Sequence, residues 1–160
     1  EDDAEFFRFT QFIVHAQHQE FRKHANGLGV KLFGDLQIGF SVQDMQSFQH
    51  LFLPGYSLGA PPSRTNPDGQ PWGYAVLNPD LYFTANGALG PVLQWMQTRI
   101  DKFLIDYDGI RIDHPHGLVC PWVYRSTLPD ALRAVQQGSR LFDSPAVAEH
   151  PELARFAIAS

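Results

Sequence analysis

Apolar residues recur at helical spacing near the start of the chain. Phe9, Phe12, Ile13 and Ala16 fall at i, i+3, i+4 and i+7, the stripe of an amphipathic helix. The pattern predicts a helix from about Ala4 to Asn26. Asn26-Gly27 is its stop, because glycine readily takes the left-handed cap conformation. Val30 to Leu36 then reads as a short buried strand, and a helix followed closely by a strand suits an α/β unit. Between Pro54 and Pro79 the periodicity disappears. Pro54, Pro61, Pro62, Pro67, Pro71 and Pro79 alternate with glycines, and so many breakers are expected to leave no regular element. A long loop of this kind inside a compact domain is usually functional. A strong helix follows from Leu89 to Leu104, with Leu89, Val92, Leu93, Met96, Ile100, Phe103 and Leu104 on one face. Tyr107 to Asp113 reads as a strand whose Ile110 and Ile112 point one way and Gly109, Arg111 and Asp113 the other. A further helix is predicted near Asp130 to Gln137, behind Pro129. The tail from Pro145 to Ser160 is expected to be helical around Pro151 to Ala159.

The order is helix, strand, long loop, helix, strand, helix. Repeated βα units imply a parallel sheet. A complete (β/α)8 barrel takes about 250 residues, and this chain has 160. The expected fold is therefore α/β, a segment of a (β/α)8 (TIM) barrel spanning 1–160, with 54–79 as a Pro/Gly-rich active-site loop insertion. An autonomous small α/β domain is the rival reading.

Composition narrows the partners. Hydrophobic residues make up 44% and charged residues 18%, which supports a packed core and argues against disorder. The formal charge is -5. Nucleic acid and anionic membranes both need clustered Lys and Arg, so neither is an expected partner. No apolar run approaches the ~20 residues of a membrane span, and the opening Glu1-Asp2-Asp3 lacks the character of a signal peptide. Cys120 is the only cysteine, so no internal disulfide forms; it reads as a buried, inert thiol.

The candidate chemistry lies at strand ends. Arg111 and Asp113 are two apart on a strand and share a face. Polar residues at the C-terminal end of a barrel strand are usually catalytic. A neighbouring guanidinium favours the charged form of a carboxylate, and an ionised carboxylate beside a sugar ring can attack the anomeric carbon or stabilise an oxocarbenium ion. A buried Arg–Asp ion pair that only organises the fold fits the spacing equally well. Asp35 ends the earlier strand at the matching rim position, where it could bond a substrate hydroxyl, orient Arg111, or satisfy nearby backbone N–H groups. Trp72, between Pro71 and Gly73, offers an indole face suited to stacking on a glucose ring, or an anchor for its loop. His114-Pro115-His116 lacks the ligand number and spacing of a zinc site. His15, His18, His24 and His50 lie on predicted helical faces and read as solvated or structural.

Three motifs occur in order at suitable separations: Gly59-Ala60-Pro61-Pro62, Gly69-Gln70-Pro71-Trp72-Gly73 and Arg111-Ile112-Asp113-His114. Together they resemble those of the 4-α-glucanotransferases, also called amylomaltases or disproportionating enzymes, relatives of the α-amylases. Gly34 to Gly39 is similar to their third-strand motif, and Phe12 to Gln19 to the helix before it, so the resemblance runs through nearly the whole chain. It implies a retaining, two-step transfer of α-1,4-glucan pieces between maltooligosaccharides in the cytoplasm, with no metal or organic cofactor. Asp113 matches the nucleophile and Arg111 its arginine partner. Asp35, Gly59, Pro61, Pro62, Ser63, Trp72 and His114 match substrate-contacting positions. Gln37 and Ser63 depart from the family's usual Pro and Asp, which touches loop contacts rather than the chemistry. The family's acid/base glutamate and a further aspartate have no counterpart in this chain. Glu149 and Glu152 match neither motif. Cut barrel edges are expected either to invite self-association or to be covered by the long helices. Two other readings remain at this point: a non-catalytic glucan-binding module built on Trp72 and the proline loop, and a metal-dependent hydrolase using Asp113, His114 and His116.

Overall fold

The computed structural model describes residues 2–142 and 150–158. In chain order the elements are α1 (Asp2–Gly27), β1 (Phe33–Leu36), α2 (Val42–Ser47), β2 (Phe52–Ala60), β3 (Gln70–Leu77), α3 (Pro91–Asp106), β4 (Gly109–Ile112), α4 (His116–Val119), β5 (Trp122–Arg125), α5 (Ala131–Gln136) and β6 (Ser139–Arg140). Short 3₁₀ turns lie at Gln49–Leu51, Pro79–Leu81 and Pro151–Phe156. The last of these replaces the α-helix expected in the tail; residues 145–149 and 159–160 of that expectation, with Glu149, lie outside the described residues. This mixed α/β chain divides into two compact units, Glu1–Leu36 with Met96–Asp113, and Gln37–Trp95 with His114–Ser160.

In the first unit β1 and β4 pair in parallel, with Phe33 opposite Gly109 and Asp35 opposite Arg111. Acidic residues Asp2, Asp3 and Glu5 occupy the first turn of α1, where they complement the helix dipole. The chain leaves α1 slightly later than expected: Gly29, not Gly27, takes the left-handed turn, at φ 78°. The predicted apolar stripe splits. Ile13 and Ala16 are half-buried, whereas Phe9 and Phe12 stay exposed. The ordered strand is also shorter than predicted, since Val30 to Leu32 stay outside the ladder. Gly34 has no room for a side chain: a Cβ there would lie 2.6 Å from the rings of Phe103 and Tyr107. Those two aromatics therefore pack directly on the β1 backbone next to Asp35.

Asp108 fastens this unit. Its Oδ1 accepts from Arg22 Nε (3.0 Å) and Nη2 (2.8 Å), and its Oδ2 accepts from Asn26 Nδ2 (2.8 Å) and the Leu32 N–H (2.9 Å). The end of α1, the entry to β1 and the turn before β4 meet on one carboxylate. The Asn26 bond, then the Leu32 N–H and Arg22, hold its pKa down to about 2. A carboxylate whose folded pKa is depressed stabilises the fold above its ordinary value near ~3.9, and that contribution is lost as pH falls. Thermal melts between about pH 4 and about pH 2 should show wild-type stability falling through this window. Asp108→Ala should melt lower at neutral pH and lack that part of the slope. Parallel acid limbs for the two proteins would refute the assignment.

The second unit holds the largest departure from expectation. Residues 54–79 are not a loop without regular elements: β2 and β3 cover most of them in an antiparallel hairpin. They belong to a four-stranded sheet of order β3-β2-β5-β6, all neighbours antiparallel. The breakers fall where a sheet tolerates them. The β2–β3 register shifts between Phe52 and Ser57 and between Leu58 and Gly59. Pro54-Gly55, with Gly55 at φ 79°, occupies the first irregularity, and Trp72-Gly73, with Gly73 at φ 74°, the second. Bulges absorb the extra residues without ending the strands, and Pro71 lies on the edge strand β3, where a missing N–H is harmless. Gly59 is buried inside β2, where a Cβ would meet the Gln70 carbonyl oxygen at 2.6 Å and Val135 Cγ2 at 2.8 Å. It is a packing position rather than a loop residue.

Alternation along β5 sends Val123 to one face and Tyr124 to the other. Val123 joins Leu53, Tyr56, Leu58, Val76, Leu141 and Leu153 in the main core. Tyr124 packs with Ala134 and Val135 of α5. Asp130 caps α5 by accepting from the Arg133 N–H. Trp72, expected to have little packing of its own, lies half-buried against the main core. Cys120 is half-buried rather than buried. Among the described residues no helix is long and apolar enough to cross a membrane.

Candidate active site

The parallel register sets the first group of side chains. Partners across a ladder point to the same face, so the Asp35–Arg111 pairing puts both on one side of the β1–β4 pair. Asp113, two residues beyond Arg111, follows on that face. Arg111 joins them. Its Nη1 donates to both oxygens of Asp35, at 2.7 and 2.6 Å, and its Nη2 donates to Asp113 Oδ1 at 2.8 Å. One guanidinium thus carries two carboxylates, and the hydrogen bonds and charge of Asp35, followed by the charge of Asp113, push its pKa up. The Asp113 N–H donates to the Leu36 carbonyl at 3.1 Å, which extends the ladder past β4 and fixes the Asp113 backbone.

Within this chain these groups are not buried. The side chains of Arg111, Asp35 and Asp113 are 62%, 48% and 49% exposed. Among the described residues Asp113 Oδ2 takes no hydrogen bond. The arrangement is a half-exposed carboxylate held at one oxygen by a cation. The chain leaves this group at His114, which adopts φ 47°. A left-handed conformation costs a non-glycine residue ~1 kcal/mol, although histidine is among the side chains that take it most readily.

The second unit carries the remaining candidates. The rings of Trp72 and His114 meet edge to face, 5.1 Å apart at 88°, and His116 lies 6.3 Å from His114. Trp72 Nε1 donates to Gln70 Oε1 at 3.0 Å, and the Gly73 N–H donates to the Tyr124 hydroxyl at 3.1 Å. Together these bonds orient the indole. Tyr124 carried no signal in the sequence, and Gln70 stood out there only as a member of the Gly69 to Gly73 motif, because a segment expected to be loop has no shared face; the strand Gln70–Leu77 supplies one. Ser63 closes the connection between β2 and β3: its Oγ accepts from the Asn66 N–H at 3.0 Å and its N–H donates to the Asn66 carbonyl at 2.8 Å. Pro62 beside it is exposed and Pro61 half-buried. Among the described residues no three His, Cys, Asp or Glu side chains gather so as to hold a metal ion.

Known proteins resemble this chain over most of its length. The 4-alpha-glucanotransferase of Oryza sativa subsp. japonica, a chloroplastic/amyloplastic protein, is 34% identical over 140 residues, covering 82% of this chain and 22% of its own length. That of Chlamydia trachomatis is 29% identical over 125 residues, covering 77% of this chain and 23% of its own. The chain therefore spans less than a quarter of the length of these two relatives. Among solved structures, an amylomaltase from Streptococcus agalactiae in complex with acarbose superposes with a TM-score of 0.66 at 26% identity, over 82% of this chain and 26% of that one. An amylomaltase from Corynebacterium glutamicum shares the fold with a TM-score of 0.64 at 24% identity, over 96% of this chain and 21% of its own. The sequence profile of one family matches residues 1–149, and on that match the chain belongs to the 4-alpha-glucanotransferase family.

Proposed function

We propose that the full-length protein containing this chain transfers α-1,4-glucan segments between maltodextrins with retention of configuration, and that Asp113 is its nucleophile. One observation carries the reading: Arg111 holds Asp113 by a single oxygen at 2.8 Å on an open face. Attack by the free oxygen on an anomeric carbon would form a glycosyl-enzyme ester and expel the sugar on the reducing side. A second glucan hydroxyl then displaces Asp113, and two inversions give retention. Retaining chemistry needs a second carboxyl about 5–5.5 Å away, protonated at the start of the cycle. Asp35, bound through both oxygens to Arg111, serves instead to hold the guanidinium in line. The acid/base group comes from the part of the protein beyond this chain.

Trp72 and His114, with Pro61, Pro62 and Ser63, are proposed to contact the glucan, the indole stacking on a sugar ring. The acarbose bound by the Streptococcus agalactiae amylomaltase supports an α-glucan ligand. The family relationship supports a place in glucan metabolism; a cytoplasmic location without a cofactor is proposed with it, although the Oryza sativa relative is chloroplastic/amyloplastic. The β1–β4 pair, with α3 leading into β4, is proposed to be part of a (β/α)8 barrel in which 1–160 is a partial catalytic domain. The parallel register and the amylomaltase neighbours support that placement. Among the described residues β1 and β4 pair only with each other, so the 160-residue chain produced alone is expected to self-associate through their open edges. A clean monomer in sedimentation at ~100 µM would exclude this, since edge pairing between copies is concentration-driven.

The activity test uses the full-length protein with maltotriose. Disproportionation yields glucose together with maltopentaose and longer chains. Release of glucose and maltose without elongation would assign the protein to the hydrolases instead.

A further inference from the structure

The second unit holds a set of titratable side chains that glucan transfer does not use. His150 is buried, and both ring nitrogens are engaged. Nδ1 lies 3.0 Å from the Tyr56 hydroxyl and Nε2 lies 2.7 Å from the Gln137 carbonyl oxygen. The same Tyr56 hydroxyl donates to Glu152 Oε1, and Arg125 Nη2 reaches that oxygen at 2.9 Å. Tyr56 comes from β2, Arg125 from β5, and Gln137 from the end of α5. His150 and Glu152 belong to the segment 150–156, which sets Leu153 into the main core.

Counting donors and acceptors exposes a constraint. A carbonyl oxygen only accepts, so Nε2 carries a proton. Glu152 is held below the usual carboxylate range, chiefly by the Tyr56 bond, and an ionised carboxylate also only accepts. Tyr56 stays a phenol, since burial first and the Glu152 bond second push its pKa up. It has one proton, and that proton is committed to Glu152. The short contact at Nδ1 is then a hydrogen bond only when Nδ1 is itself protonated. With Nδ1 bare, two acceptors compete for one hydroxyl hydrogen, and one of the two contacts becomes lone pair against lone pair.

We propose that His150, Tyr56 and Glu152 form a proton-operated latch that holds the segment 150–156 on the antiparallel sheet. The latch is complete when the imidazole takes up a proton at Nδ1. That proton comes from solvent through a cavity of about 350 Å³ lined by Arg125, Leu128, Ala134, Gln137 and His150. On uptake, Nδ1–H donates to Tyr56 Oη and the hydroxyl hydrogen turns towards Glu152. On loss, the hydroxyl hydrogen turns back to Nδ1, and Glu152 keeps Arg125 and its own backbone N–H. Only the N–H bond at Nδ1 is made or broken. Among the described residues the charged groups facing the ring are few. Glu152 shares the Tyr56 hydroxyl with the ring, and Arg125 lies 5.8 Å from the Tyr56 ring centre. Arg155 and Asp80 pair with each other at 2.7 Å.

Full-length protein labelled with ¹⁵N-histidine, read at about pH 5.5 and about pH 8.5 on either side of the ordinary imidazole range, tests this. His150 should show two protonated nitrogens at the lower pH and the Nε2–H tautomer at the higher. An Nδ1–H tautomer at the higher pH would overturn the proposal. Hydrogen exchange at the Leu153 amide, which donates to the His150 carbonyl, supplies a second readout. After correction for intrinsic rates, its protection should fall on the order of fivefold from the lower to the higher pH, the worth of about one net hydrogen bond. In Tyr56→Phe that dependence should vanish. Protection that is flat in the wild type, or that falls equally in Tyr56→Phe, would equally overturn it.

Discussion

Asp113→Asn in the full-length protein is expected to lower kcat for maltotriose disproportionation by ~10⁴-fold or more, the scale of losing a covalent nucleophile. The substitution keeps the size of the side chain and an oxygen for the Arg111 bond, so the fold should survive and the melting temperature should move little. What disappears is the negatively charged oxygen that would form the glycosyl ester. A second variant separates a chemical role from a positional one. In Asp113→Ala a small anion such as azide can occupy the space left by the carboxylate and attack the anomeric carbon of an α-linked donor. Turnover should return in part, with a β-glycosyl azide as product, because only one inversion then occurs. A residue that merely organises Arg111 would give no such product. Loss of activity accompanied by loss of the folded state, or retention of more than a tenth of wild-type kcat in Asp113→Asn, would remove Asp113 from the nucleophile role.

Arg111→Lys is expected to be the next most damaging change, lowering kcat by ~10²-fold, the effect of misplacing a reacting group by about an ångström. The reason is geometric. The guanidinium uses two different nitrogens for two carboxylates, Nη1 for Asp35 and Nη2 for Asp113. An ammonium is a point charge and cannot reproduce that fork, so an Arg-to-Lys exchange at such a site is not conservative. Asp35 and Asp113 would retain a cation nearby but lose their mutual alignment. KM should change less than kcat, because the sugar contacts proposed for Trp72 and His114 are untouched. Asp35→Asn should give a smaller loss of the same kind, and Arg111→Lys with Asp35→Asn should cost less than the product of the two single effects. Fully multiplicative effects would mean that the two residues do not act as a unit.

Much of this site was legible in the chain. Two residues apart on a strand means one face, so Arg111 and Asp113 could be paired from spacing alone. Their rim position marked them as candidates for chemistry, and the surrounding motifs connected them to a family. What spacing left even was whether Asp113 is a buried ion-pair partner or an accessible carboxylate. Exposure is a property of what other segments cover, so spacing could not supply it; within this chain the Asp113 side chain is 49% exposed. The opposite holds for residues 54–79. Proline and glycine lower the local preference for a strand, and a reading that sums local preferences finds a loop there. The sheet instead gathers those residues into bulges and onto an edge, where their backbone demands cost little. Pairing of Tyr56 to Gly59 with β5 is a long-range term that no local pattern contains.

The chain by itself determined the helices α1 and α3, the strands around Asp35 and Arg111, and the motifs that mark the family, because each rests on periodicity or on residue types at short fixed separations. Tertiary structure decided the rest. The parallel register of β1 and β4 placed Asp35 on Arg111 across 76 positions. The antiparallel sheet turned an expected loop into β2 and β3 and seated Trp72 against a core. The fold of residues 150–158 brought His150 and Glu152 to Tyr56. In each case the physical reason is the same: contacts between segments distant in sequence are set by which surfaces exclude water together and by which donors find acceptors there.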